Sequence, residues 1–203
     1  MTQSVSAADR SSADRSTHPD GIKSPGGDIA VRLSEAYLAV RNETERRAAP
    51  LSPEDQVVQS MPDASPAKWH RAHTTWFFEQ FLLGPHCPGY RPFDPDYAFL
   101  FNSYYVSAGP RHARAERGHL TRPGAAEVSA YRHHVDAAIL TFFNEAGAEK
   151  LAGLAPLVEV GLNHEQQHQE LMLTDILHAF AQNPLYPAYD PAWTPPASAR
   201  SGE

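Results

Sequence analysis

Two histidines four residues apart, His164 and His168, stand in the run Asn163-His164-Glu165-Gln166-Gln167-His168-Gln169-Glu170. On a helix, residues at this spacing project from one face, so the two imidazoles could share one metal ion. The same face carries Leu157 and Gly161 before them and Leu171, Asp175 and His178 after them. The pair therefore interrupts a stripe that would otherwise face a core. An unsatisfied buried polar group costs on the order of 1–3 kcal/mol, so neighbouring side chains, water or a metal must satisfy both rings. The order His-Glu-Gln-Gln-His also meets the HExxH pattern of zinc proteases, where the glutamate is the general base. That chemistry would further need a third ligand and an edge strand to hold substrate, and no strand pattern of any length is present.

A third ligand is available in Lys68-Trp69-His70-Arg71-Ala72-His73-Thr74-Thr75-Trp76-Phe77-Phe78-Glu79. His73 falls in line with Trp69, Trp76 and Gln80, on an aromatic, core-facing stripe. His70 falls in line with Thr74, Phe77 and Phe81, so spacing does not exclude it. Three neutral nitrogen ligands with open positions suit zinc, iron, nickel or copper, and residue types do not choose among them.

These residues need helices to hold them. Val31, Leu33, Tyr37, Leu38 and Val40 follow helical spacing from Ile29 until Pro50 closes the segment. Ser52-Pro53-Glu54-Asp55 reads as a helix start and predicts a short helix to Gln59, and Ser65-Pro66 opens a stronger one to Leu83, ended by Gly84-Pro85. Residues 84–123 mix glycine, proline, arginine and aromatics without a period. Their aromatic content predicts an ordered loop region, with one short helix near Phe99–Tyr105. A further helix is expected over Gly124 to Glu145, with Val128, Tyr131, Val135, Ile139, Leu140 and Phe143 facing inward. The last should begin near Lys150 or Pro156 and run to about Ala181, before Asn183-Pro184. The fold class is all-α: a four-helix bundle over residues 28–183. A disordered tail is expected over 1–27, where there is little to bury, and a proline-rich linker over 184–203.

Bulk properties narrow the function. With 41% hydrophobic residues the chain can bury a core, and its formal charge of −7 argues against general affinity for nucleic acid or an anionic membrane. Cys87 is the single cysteine, so no intrachain disulfide is possible. It lies in Gly84-Pro85-His86-Cys87-Pro88-Gly89, a turn-rich loop with nothing in the sequence to activate a thiolate. No signal peptide or membrane span is recognisable, and a cytoplasmic location is expected.

Several motifs occur together and in order: Trp69 to Glu79, Phe101-Asn102-Ser103-Tyr104-Tyr105, Gly109-Pro110-Arg111-His112, Arg117-Gly118, Leu120-Thr121-Arg122-Pro123 and His164 to Leu171. Over roughly residues 30–190 the chain resembles the N-terminal, DinB-like domain of the ergothioneine-biosynthesis sulfoxide synthases. These are non-haem iron(II) enzymes that use O2 to join the sulfur of γ-glutamylcysteine, or of cysteine, to the imidazole of hercynine. The resemblance implies that His73, His164 and His168 form the iron(II) site. It further implies that Gln167 contacts hercynine and that Arg111 and Arg114 lie near the carboxylates of the thiol substrate. Guanidinium groups suit that role, since they pair bidentately with carboxylates. Without the resemblance, Arg111, Arg114, Arg117 and Arg122 read as a solvated basic loop.

Members of that family continue into a second domain of the formylglycine-generating type, which supplies a catalytic tyrosine. No such domain follows here, so the catalytic tyrosine is expected outside this chain. Three arrangements stay open: a fragment of a longer chain, a split enzyme whose partner is a separate protein of that type, or a stand-alone domain with altered activity. Two other functions fit the same ligands: a stand-alone DinB-like metal-dependent thiol transferase, and a non-catalytic metal-binding domain.

Overall fold

A computed structural model describes residues 25–105, 109–192 and 194. Most of the expected N-terminal tail (1–24) and the linker residues 193 and 195–203 lie outside the described residues. Six α-helices are present among those described: α1 (Pro25–Ala48), α2 (Ala67–Phe78), α3 (Gly84–His86), α4 (Tyr97–Leu100), α5 (Ala125–Glu145) and α6 (Ala148–Gln182). There is no strand among them, and no described helix is long and apolar enough to cross a membrane. The all-α expectation holds.

The four long helices make the bundle. α1 and α2 each pack against both α5 and α6, so each pair fills one diagonal. Trp69, Trp76, Phe78, Tyr37, Tyr131, Phe143, Ile139 and Leu151 fill the centre, each at most 2% exposed. All of the inward positions expected on α5 are fully buried except Leu140, which is partly buried against the same cluster. The start of α5 is held by the Gly124 N–H donating to Glu127 Oε2 at 2.8 Å, a helix-start bond of the capping-box kind.

Element boundaries depart from the sequence reading in instructive ways. α1 begins at Pro25, ahead of Ile29. The short helix expected before Gln59 is a single 3-10 turn, Asp55–Val57. α2 runs on through a π-helical turn, Glu79–Leu83, into α3, so Gly84-Pro85 does not end the helical path. Pro156 lies inside α6 instead of starting it. An interior proline costs about 3 kcal/mol, but Leu151 and Val158 on either side are completely buried, and that burial carries the helix across it.

α2 and α6 approach closely at Gly161. A Cβ there would lie 2.6 Å from Phe78 Cε1 and 3.0 Å from Phe77 Cε1. Gly161→Val should therefore destabilise the protein by about 1–3 kcal/mol through overpacking. Urea unfolding measures this, and an unchanged midpoint would contradict the close approach.

One layer of the core is ionic. Glu165, fully buried, accepts from Arg41 Nη1 at 2.9 Å, Arg132 Nη2 at 3.0 Å and Thr44 Oγ1 at 2.7 Å. Arg41 continues to Asp136 at 2.8 Å and to Thr75 Oγ1 at 2.9 Å. This layer ties all four long helices together, because its members come from α1, α2, α5 and α6.

The region 84–123 is ordered over its described residues. Asn102, fully buried, donates through Nδ2 toward the carbonyls of Tyr105, Gly109 and Pro110 at 3.0–3.3 Å. The helix expected near Phe99–Tyr105 is shorter and earlier, Tyr97–Leu100. Gln59 anchors the far side: Nε2 donates to Arg114 O at 2.8 Å, and Oε1 accepts the Gly118 N–H at 2.6 Å. After α6 the chain turns back, and the Tyr189 hydroxyl donates to Arg47 O at 2.6 Å.

Candidate metal centre

α2 and α6 face each other with His73 on one and His164 and His168 on the other. One ligand atom from each lies within 4.8 Å of the other two. Their ring centroids are 4.6–4.9 Å apart. His73 is clamped between Trp69 and Trp76, with stacked centroids at 4.5 and 5.4 Å. Its Nδ1 lies 2.6 Å from Phe101 O. A carbonyl only accepts, so His73 Nδ1 carries the proton and Nε2 is left bare. His168 Nδ1 is likewise engaged, 2.8 Å from His70 Nδ1. His164 Nδ1 is buried without a hydrogen-bond partner among the described residues.

Electrostatics keep these rings neutral. Burial lowers His73 well below its usual range, helped by the neighbouring His164. Burial also brings His164 down to about 4. His168 is lowered by burial and then by His73, His70 and His164. Neutral imidazole is the form that ligates a metal. An orphaned buried nitrogen, a set of neutral rings and a backbone carbonyl fixing one tautomer all fit a bound divalent cation.

The trio opens onto a cleft of about 400 Å3 whose walls include Trp69, Tyr105, Arg114, Arg117, Gln167 and Leu171. A second hollow of about 400 Å3 adjoins it, sharing Ser103, Tyr104, Arg114 and Arg117 and adding Arg111. Among the described residues, no carboxylate lines either one. Arg111 Nη1 donates to Ser103 O at 2.8 Å, and Arg114 Nη1 to the Tyr104 hydroxyl at 2.6 Å. Arg117 lies over the Trp69 ring, 3.3 Å from its centroid, and donates to Ser65 Oγ at 2.9 Å and Ser103 Oγ at 3.1 Å. Burial, with Arg114 next, lowers Arg117 to about 9, so it remains a cation at neutral pH. Such a lining favours an anionic ligand beside the histidine trio.

A family model for the DinB superfamily matches residues 36–172, which is most of the described bundle and includes all three histidines. The chain belongs to the DinB superfamily. No curated protein matches the sequence.

In this DinB domain the expected ligands His73, His164 and His168 come together. Gln167 and Arg114 line the cleft with them, while Arg111 lies one hollow away. The HExxH protease alternative is corrected by Glu165, which points into the ionic layer and away from the cleft. It cannot serve as a general base there. Arg117 was legible only as a motif residue, since nothing in the sequence announces that Trp69 would bury it. His70 is not a member of the trio but a partner of His168.

Proposed function

We propose that this DinB domain is the metal-binding part of an iron(II)- and O2-dependent sulfoxide synthase. It would join a cysteine-type thiol, γ-glutamylcysteine or cysteine, to hercynine. The observation that carries the reading is the pairing of a three-histidine trio with an arginine-lined hollow that opens beside it. The ordered motif resemblance supports it.

His73, His164 and His168 would hold the ion, with His73 presenting Nε2. When bound, iron(II) supplies the redox capacity to reduce O2 and the Lewis acidity that favours a thiolate. The reaction balances as thiol plus imidazole C–H plus O2 giving sulfoxide plus water. One C–S and one S–O bond form, and the four electrons lost by the substrates reduce O2. The chain's own residues position the reactants. Arg111, Arg114 and Arg117 hold the carboxylates of the thiol substrate, so its sulfur is directed toward the trio. Gln167, exposed at the rim beside His168, offers a carboxamide to the hercynine ring. Tyr104 and Tyr105 wall the space between. In this reading a partner domain of the formylglycine-generating type completes the pocket and brings the catalytic tyrosine.

Charge-assisted hydrogen bonds are worth about 1.5–3 kcal/mol. Arg114→Ala should therefore weaken γ-glutamylcysteine binding to the metal-loaded domain by about tenfold or more, with metal content unchanged. Calorimetric titration checks this, and wild-type affinity would remove Arg114 from the substrate site. The activity itself is tested by combining the domain with iron(II), O2, both substrates and a complementary domain. Formation of the C–S product is expected. No product would overturn the synthase reading, and thiol transfer by the zinc-loaded domain alone would replace it with a transferase.

A further inference from the structure

The trio has one neighbour whose placement the metal ligands do not explain. His70 is 3% exposed and sits between two residues of α6, spanning from His168 to Asp175. Its Nδ1 is 2.8 Å from His168 Nδ1, and its Nε2 is 3.0 Å from Asp175 Oδ2. The same carboxylate oxygen accepts the Ser65 N–H at 2.8 Å.

A hydrogen bond between two ring nitrogens needs one protonated and one bare, and Asp175 decides which. A carboxylate oxygen only accepts, so His70 Nε2 carries the proton. The Nδ1 of a neutral His70 is then bare, and His168 Nδ1 must be the donor. That leaves His168 Nε2 bare, with its lone pair free. The chain of bonds thus runs from Asp175 through His70 to His168 and selects one tautomer of the ligand. His73 reaches the same state by a different route, through Phe101 O.

We infer that His70 and Asp175 are positioning residues that fix His168 in its metal-binding tautomer and ring orientation. The inference rests on the three-histidine reading of the site. The geometry differs from simple core satisfaction. His70 could be satisfied by any polar neighbour, yet it bridges a ligand nitrogen to a carboxylate. Asp175, 11% exposed, orients that bridge from one end. Partners of this kind are typically worth 10- to 100-fold in metal affinity.

Cobalt(II) is a suitable probe, read by competition with a chromogenic chelator and by the visible absorption of the bound ion. His70→Phe keeps an aromatic ring but removes the acceptor for His168, and should lower cobalt affinity 10- to 100-fold. His70→Asn retains a carbonyl acceptor and should recover most of that loss. Asp175→Asn keeps an acceptor for Ser65 but removes the charge, and should lower affinity and shift the cobalt bands. The thermal midpoint of the metal-free protein, unchanged by Asp175→Asn, separates this role from a structural one. If His70→Phe does not fold, Asp175→Asn decides alone.

His164→Ala provides the control. If it abolishes cobalt binding while His70→Phe and Asp175→Asn bind as wild type with unchanged spectra, the positioning role is overturned and the metal centre stands. If His164→Ala binds cobalt as wild type, or if the wild type takes up none, the three-histidine reading falls and this inference falls with it.

Discussion

Alanine at His164 is expected to abolish stoichiometric uptake of a divalent cation and to leave the bundle folded. The ring lies at the cleft, its Nδ1 has no protein partner among the described residues, and its removal breaks no hydrogen bond among them. His73→Ala and His168→Ala should lose the metal as well. His73, however, is 1% exposed and bonded to Phe101 O, so that variant carries a structural cost too. Loss of a direct ligand should exceed the 10- to 100-fold effect typical of outer partners. A thermal readout follows from mass action. Metal at 100 times its Kd stabilises the native state by about 2.7 kcal/mol, so the wild-type Tm should rise on metal addition. The His164→Ala midpoint should not move. Equal metal content in wild type and all three variants would reduce the trio to ordinary buried histidines.

The largest effect on stability is expected at Glu165. Its carboxylate is completely buried between Arg41 and Arg132. Breaking a buried ion pair by removing one partner typically costs about 3–5 kcal/mol, because the remaining charge is stranded. A domain of this size is stable by only about 5–15 kcal/mol, so Glu165→Ala should fall near the limit of folding. Glu165→Gln keeps the shape and is the better variant for measurement. Its pH dependence has a definite sign. Burial by itself would raise the Glu165 pKa, but Arg41, Arg132 and the Thr44 hydroxyl overcome it and hold the group at about 2. The unfolded value is about 4.3. The contribution is therefore fully present above the unfolded value and is lost as pH falls toward 2. Urea unfolding of the metal-free protein should show the wild type weakening from about pH 5 downward, with Glu165→Gln flatter across that window. Parallel curves would mean that Glu165 is not the buried anion of this layer.

His164 and His168 were readable as a pair because helical spacing alone puts them on one face. By spacing His73 was one of two candidates; the motif resemblance chose it over His70, and the physical reason is the register between α2 and α6, which no single helix encodes. The same limit hid the bridge to Asp175. That residue was visible on the correct face of α6, but its partner lies on another helix, 105 residues away. Glu165 shows the converse. Its motif suggested chemistry, whereas its direction was set by Arg41 and Arg132, which come from α1 and α5. Of the two starts expected for α6, the one near Lys150 agrees with Ala148, while Pro156 lies inside the helix because local propensity is outweighed by the burial of Leu151 and Val158. The order of the 84–123 region was suggested by its aromatics, yet the Asn102 bonds that secure it join an irregular loop to itself, side chain to carbonyl, and leave no period to read. Composition could suggest an anionic ligand only through scattered arginines. Folding gathered Arg111, Arg114 and Arg117 around Ser103 and Tyr104, next to the trio.

In the proposed function one metal ion, iron(II), sits among His73, His164 and His168. Anomalous diffraction at the iron edge, from crystals grown anaerobically with one equivalent of iron(II), tests it most directly. A single peak enclosed by the three imidazoles is expected, with His73 and His168 both turned to it through Nε2. A peak elsewhere on the chain, or none at all with the three rings paired only to protein groups, would contradict it.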